Sequence, residues 1–106
     1  MGNFEVVISE QARYDLRDIY EYIGEASGFS RADNIHERII NKCESLENFP
    51  YRGRQPNDAR ALGLDLRQVN ESVYRILYDV GERTVEVLAV IHEKRDLQAL
   101  LKRRFR

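Results

Sequence analysis

Leu62-Gly63-Leu64-Asp65-Leu66-Arg67, then Tyr74-Arg75-Ile76-Leu77-Tyr78, then Val85-Glu86-Val87-Leu88-Ala89-Val90-Ile91-His92 with Lys94-Arg95-Asp96 behind it, is the stretch that decides the fold. Three short apolar runs are broken by Asn70-Glu71-Ser72 and Val80-Gly81-Glu82-Arg83. That spacing predicts strands over 64–69, 73–79 and 84–92 joined by tight turns. The last run is almost wholly apolar, which puts it in the middle of a sheet with neighbours on both sides. Each run carries a cationic or imidazole side chain at regular places, a rim suited to gripping a macromolecule more than to transforming a metabolite.

Upstream, the hydrophobic period changes. Phe4, Val6 and Ile8 alternate with Glu5 and Val7, which predicts a short strand. Ser9 then stands as an N-cap, and Ala12, Leu16, Ile19, Tyr20 and Ile23 hold one helix face toward a core until Gly24 and Gly28 end the helix. Ser30 and Asp33 have capping-box spacing, and Ala32, Ile35, Ile39, Cys43 and Leu46 make the stripe of a second helix that stops before Pro50. Helices over 9–24 and 30–48 with so short a link lie antiparallel. Tyr51 to Gly63 is the one long irregular stretch, and such loops either carry function or simply connect a helix to a sheet. Residues 96–104 close the chain with a turn or two of helix, Leu97, Leu100 and Leu101 on one side and Lys102-Arg103-Arg104 behind. The fold class is therefore α+β. An antiparallel sheet of three or four strands packs one face on an N-terminal helical hairpin, in the order β-α-α-β-β-β with a short C-terminal helix.

The length of 106 residues suits a single domain over 1–106, and 42% hydrophobic with 33% charged residues describes a soluble globular chain. No apolar run approaches the roughly 20 residues of a membrane span. Met1-Gly2-Asn3-Phe4-Glu5 has neither the positive cluster nor the apolar stretch of a secretory signal, and Cys43 has no second cysteine to pair with. These features predict a cytoplasmic protein. The net charge of -1 hides an asymmetry: residues 1–50 carry 5 Lys or Arg against 10 Asp or Glu, and residues 51–106 carry 12 against 8. A split of this kind either steers a nucleic acid or charged protein to one face or reflects solvated helix surfaces.

The catalogue of reactive motifs is thin. A Gly-rich phosphate loop, Cys and His pairs at metal spacing and an HExxH helix are all missing, so no metal or cofactor is expected and nucleotide hydrolysis and zinc chemistry have no support. His92 carries an imidazole at a strand end, where it serves either as a general acid or as a packing and backbone-bonding group. Arg67 and Arg75, on adjacent strands, either hold a phosphate bidentately or pair with neighbouring carboxylates. Together with His92 and Arg95 they define the candidate catalytic set of an RNA-cleaving site. Tyr74 and Tyr78 share a strand face as core or interface aromatics, and Cys43 in the stripe of the second helix reads as a buried structural thiol.

Several pieces then line up. A strand precedes a helix patterned Ala12, Asp15-Leu16, Ile19, Tyr22; a loop holds Pro50 and Gly53-Arg54; Gly63 precedes Leu66-Arg67; Tyr74-Arg75-Ile76 leads to Tyr78, and Val90-Ile91-His92 to Arg95-Asp96. Over nearly its whole length the chain resembles the ParE/RelE superfamily of bacterial toxin-antitoxin toxins. The resemblance implies a cytoplasmic toxin neutralised by a small cognate antitoxin whose partly disordered C-terminal segment folds onto it, with promoter DNA reached only through the antitoxin. RelE-like and YoeB-like ribosome-dependent ribonucleases carry a denser basic set and a catalytic Tyr or His near the C-terminus. Here no aromatic stands beside His92, and acidic Asp96 follows Arg95. The segment His92 to Leu97 looks more like the ParE branch, which lacks the nuclease residues and is associated with poisoning of DNA gyrase and with plasmid stabilisation. The ParE-like reading assigns target binding to Arg54, Arg60, Lys102, Arg103 and Arg104. It assigns antitoxin binding to Tyr14, Tyr22, Tyr74 and Tyr78, beside the hairpin and an open sheet edge, with a homodimer or a toxin-antitoxin heterotetramer as the assembly. The alternatives are a RelE-like messenger RNA endoribonuclease acting on the ribosome, and a non-toxic module that binds the antitoxin as co-repressor.

Overall fold

The computed structural model describes residues 3–105. Its sheet holds β1 (Glu5–Ile8), β2 (Arg67–Glu71), β3 (Tyr74–Val80) and β4 (Thr84–His92), in the spatial order β1-β4-β3-β2. The apolar run Thr84–His92 is central, as its composition predicts. β3 lies antiparallel to β2 and β4, but β1 lies parallel to β4, with Glu5 opposite Thr84 and Ile8 opposite Val87. The sheet is thus mixed, not purely antiparallel. The cause is the connection: Ser9 caps a helix directly after β1, so no tight turn constrains the partner of β1, and a crossover connection accommodates a parallel pair.

The helices α1 (Glu10–Ser27) and α2 (Phe29–Glu44) form the expected hairpin with different ends. Ser9 Oγ accepts the N–H of Ala12 at 3.1 Å, the predicted cap. Gly24 does not end α1. It stays inside the helix, and the Phe29 ring lies where a side chain at position 24 would go. The reversal falls on Gly28 alone, whose φ of 98° belongs to the left-handed half of backbone space. Ser30 and Asp33 form no capping box: α2 begins at Phe29, and the Asp33 carboxylate instead accepts the hydroxyl of Tyr20 at 2.7 Å. After Glu44 the chain continues in a 3₁₀ turn over Ser45–Glu47.

The stretch 51–63 is more regular than its composition suggests. It contains a 3₁₀ turn at Pro50–Arg52, a one-residue bridge between Arg54 and Gln68, and a five-residue helix α3 (Asn57–Ala61) closed by the Pro56 carbonyl, which accepts from Ala59 and Arg60. β2 consequently starts at Arg67 and not at 64, because Leu64 is drawn back under α3 by the bond from its N–H to the Ala59 carbonyl. The final helix α4 (Leu97–Arg104) is capped by Asp96, which accepts from Ala99 at 3.0 Å. Among the described residues no helix is long and apolar enough to cross a membrane.

Both faces of the sheet are covered. Ile35, Ile39, Leu46, Tyr78, Val85 and Val87 join the core under the helical hairpin. On the other face Leu66, Leu77, Ala89 and Ile91 pack with Ala59 of α3 and Leu97, Leu100 and Leu101 of α4, a second core that the one-faced expectation omits. A bulge in β4 serves both. Leu77 pairs with Ala89 and Tyr78 with Val87, so Leu88 is the extra residue and the inward-facing parity reverses across it. Val85, Val87 and Val90 face the hairpin, whereas Ala89 and Ile91 face α4.

Candidate functional site

β1 ends opposite Val87, so the second half of β4 has no strand on that side. The space is framed by α1, by the end of β4 and by α4, and forms an open groove of about 710 Å³. Tyr14, Asp18, Ile19 and Tyr22 line it from α1, Val90 and His92 from β4, and Leu100 and Arg103 from α4. Tyr22 is 74% exposed and Tyr14 47%, with the Arg17 guanidinium 5.4 Å over the Tyr14 ring. Tyr74 closes one end, largely buried, with the His92 ring edge-on at 5.6 Å.

The floor of this groove is an ion pair that does the work of a missing strand. One Asp15 carboxylate oxygen accepts the N–H of Val90 at 2.9 Å and Nη1 of Arg104 at 2.9 Å, and the other accepts Nη2 of Arg104. Arg104 Nη1 also donates to the Leu88 carbonyl at 3.2 Å. The main-chain groups flanking the bulge are thereby satisfied by side chains from α1 and α4. Asp15 and Arg104 keep only 12% and 16% of their side-chain surface, so Arg104 is a structural group and not the free target-binding cation expected from the run Lys102-Arg103-Arg104. Lys102 and Arg103 are exposed. Nothing local marks Asp15 as special, since its partner lies 89 residues away.

Of the four candidate catalytic residues, His92 and Arg95 line the same groove, but Arg67 and Arg75 do not join them at one point. Arg67 pairs across β2 and β3 with Tyr78, so it shares the hairpin face, where it donates to the carbonyls of Tyr51 (3.2 Å) and Gly53 (2.7 Å). Arg75 sits opposite Ile91 on the other face and donates to the Glu93 carbonyl at 2.8 Å. Among the described residues neither arginine makes the carboxylate pair considered from sequence. His92 is opposite Tyr74, four residues along β3 from Tyr78, roughly 13 Å at strand rise. Its Nδ1 accepts the Lys94 N–H at 3.1 Å, the backbone-bonding role. Arg95 is exposed at the groove mouth.

The assigned tyrosines divide similarly. Tyr14, Tyr22 and Tyr74 meet in the groove, whereas Tyr78 is fully buried and cannot belong to an antitoxin face. Its hydroxyl donates to the Pro50 carbonyl at 2.8 Å and accepts the Gly53 N–H at 3.0 Å, and burial pushes its pKa up. Burial likewise raises Tyr74 and pushes the Cys43 thiol up to about 12, as befits an inert core thiol. Arg54 and Arg60 are exposed at the two ends of the segment leading into and through α3.

The family model of the ParE toxin of the type II toxin-antitoxin system parDE matches residues 6–97. The chain belongs to the ParE toxin family. The match covers all of β1 but Glu5, the helical hairpin and the other three strands of this ParE-family chain. Among solved structures, the chromosomal ParDE toxin-antitoxin system from P. aeruginosa aligns with a TM-score of 0.69 at 13% identity, over 87% of this chain and 98% of that one. The RelBE2 toxin-antitoxin complex from Mycobacterium tuberculosis gives 0.63 at 21% identity, over 85% and 98%. The archaeal RelE-RelB complex from Pyrococcus horikoshii OT3 gives 0.50 at 14% identity, over 89% and 99%. At these identities the likeness is one of fold. No curated protein matches the chain.

Proposed function

We propose that this ParE-family chain is a toxin directed at DNA gyrase and held inactive by a cognate antitoxin docked in the Tyr14–Tyr22–Tyr74 groove. Membership in the ParE toxin family is the observation that carries the reading. The failure of Arg67, Arg75, His92 and Arg95 to meet at one point supports an inhibitor over a ribonuclease, because phosphoryl chemistry needs its acid and its cations around the same phosphate. The antitoxin half draws support from the groove itself. Its α1 lining runs from Gln11 to Tyr22, about three helical turns, and offers exposed tyrosines beside Ile19 and Leu100, the shape and chemistry that receive an amphipathic helix. Asp15 already occupies the Val90 N–H, which favours helix packing over strand addition there. The solved neighbours named above include complexes of a toxin with its antitoxin. A cytoplasmic toxin-antitoxin assembly, reaching promoter DNA through the antitoxin, completes the proposal.

The test is a supercoiling assay with purified gyrase and the purified chain. Inhibition that one equivalent of antitoxin reverses is the expected result, with calorimetry of the toxin-antitoxin complex giving a strongly negative heat-capacity change. Cleavage of messenger RNA on ribosomes, with supercoiling untouched, would overturn the gyrase reading in favour of the ribonuclease.

A further inference from the structure

We propose that the corner formed by Phe49, Tyr51, Arg52 and Arg54 is the surface through which this chain grips its target, and that it fits an acidic protein surface with a shallow apolar recess. The proposal rests on the reading of the chain as a toxin with a protein target and deepens it by saying where the target is held.

Phe49 is 65% exposed and Tyr51 59%. Aromatic surface of this size facing water marks an interaction site when it is clustered. The Tyr51 side of the corner is braced. The Tyr51 ring stands edge-to-face with Phe4, centroids 6.3 Å apart, and carries the Arg67 guanidinium 5.1 Å over it. Beneath it the buried Tyr78 hydroxyl bonds Pro50 and Gly53, and Arg67 bonds the carbonyls of Tyr51 and Gly53. Gly53 lies so close to the Tyr78 hydroxyl and the Gln68 carbonyl that no side chain fits there. A turn already fixed from below, with exposed aromatic residues at 49 and 51, loses little ordering entropy on binding, and aromatic residues with arginine are the composition of interface hot spots.

Charge selects the partner. Arg52 and Arg54 are exposed and, among the described residues, neither forms an ion pair; Glu44 and Glu47 on the preceding turns form none with them. Lys42 adjoins them across a recess of about 320 Å³ at the edge of β2, and the carboxylate it pairs with, Glu71 at 3.9 Å, is shared with Arg38. Acidic side chains are the complement. A nucleic acid is the weaker fit, since two unpaired arginines neutralise few phosphates and one face of Tyr51 is taken by Arg67. The corner adjoins the Tyr78 end of β3 and the antitoxin groove the Tyr74 end, so the two surfaces are separate.

The experiment compares wild type, Phe49→Ser and the double charge reversal Arg52→Glu/Arg54→Glu. Three readouts are growth arrest on expression of the toxin alone, affinity for purified gyrase and affinity for the antitoxin. Each variant is expected to lose about tenfold or more in gyrase affinity and to relieve growth arrest, with antitoxin affinity within about twofold of wild type. Folded variants that keep both toxicity and gyrase affinity overturn the corner. If wild type arrests growth without binding gyrase, the gyrase reading fails and growth arrest alone judges the corner: relief by both variants supports it, persistence overturns it. Loss of binding to a single-stranded RNA oligonucleotide, with gyrase affinity unchanged, overturns the protein partner. A wild-type chain that is harmless without antitoxin overturns both readings.

Discussion

Asp15→Ala removes the carboxylate that ties α1, β4 and α4 together. Two losses follow from the geometry. The Val90 N–H loses its acceptor at 2.9 Å, and a buried donor left alone costs about 1–3 kcal/mol. Arg104, with 16% of its side chain exposed, loses its counter-ion, and breaking a buried pair by removing one partner costs about 3–5 kcal/mol when burial is complete. Residual water access relieves part of the second term, and Arg104 keeps its bond to the Leu88 carbonyl. We expect a total of about 3–4 kcal/mol, a large share of the roughly 5–15 kcal/mol that holds a domain folded. Asp15→Asn keeps an oxygen for Val90 but not the charge, and is expected to cost about half as much as Asp15→Ala, given how much charge strengthens such bonds. The double variant Asp15→Ala/Arg104→Leu should cost less than the sum of the singles by about 1–3 kcal/mol, because the stranded cation goes with its partner. Urea melts with linear extrapolation measure each term, provided the slope stays constant. A cost below about 1 kcal/mol for Asp15→Ala, or additivity within about 0.5 kcal/mol, would refute the role given to the pair.

Three further outcomes follow. Tyr78→Phe leaves the Pro50 carbonyl and Gly53 N–H without their buried partner and should cost about 2–3 kcal/mol in a denaturant melt, weakening gyrase affinity more than antitoxin affinity. Ile39→Ala, at a position with no exposed surface, should cost about 2–5 kcal/mol, and Leu88→Ala at the half-buried bulge less; equal losses in the same melt would contradict the two-core packing. Burial raises the folded pKa of Cys43 from 9.0 to about 12 and that of Tyr78 above 10.0, so the unfolded chain releases these protons first. Their contribution to stability is then fully present below pH 9 and is lost as pH rises from there toward 12, and Cys43 should resist a disulfide reagent at neutral pH until urea is added.

Legibility from sequence followed the range of the interaction. The alternation of Phe4 to Ile8, the stripes of α1 and α2 and the apolar run of β4 are local patterns, and each produced its element. Gly24 and Gly28 could both end a helix, and the sequence alone does not choose between them; in the structure Gly24 stays helical against the Phe29 ring and Gly28 takes the positive φ. α3 is too short to show a period. The parallel partner of β1 lies some 80 positions downstream, where no adjacent turn announces it. For the site, exposure of Tyr14 and Tyr22 accords with their place on the outer face of α1. Tyr74 and Tyr78 do share a strand face, but that face is the one under the hairpin, which buries the second tyrosine. Arg67 and Arg75 were separated by one unit of parity. The register that sets Arg67 opposite Tyr78 puts Asn70, not an odd-numbered residue of β2, opposite Arg75, and so sends the arginines to opposite faces.

The position of β4 has a bearing on how the molecule comes into being. It is the strand on which both cores meet and beside which β1 lies, yet it is written after the hairpin and after the other three strands. During synthesis the hairpin emerges first and has no sheet to settle on. β1 waits for Thr84–Val87, and Asp15 waits for Val90 and Arg104. A nascent chain broken off before β4 therefore lacks both cores and the floor of the groove. The fold closes late, as a consequence of topology, and a chain that stops short of β4 has neither the packed sheet nor the groove.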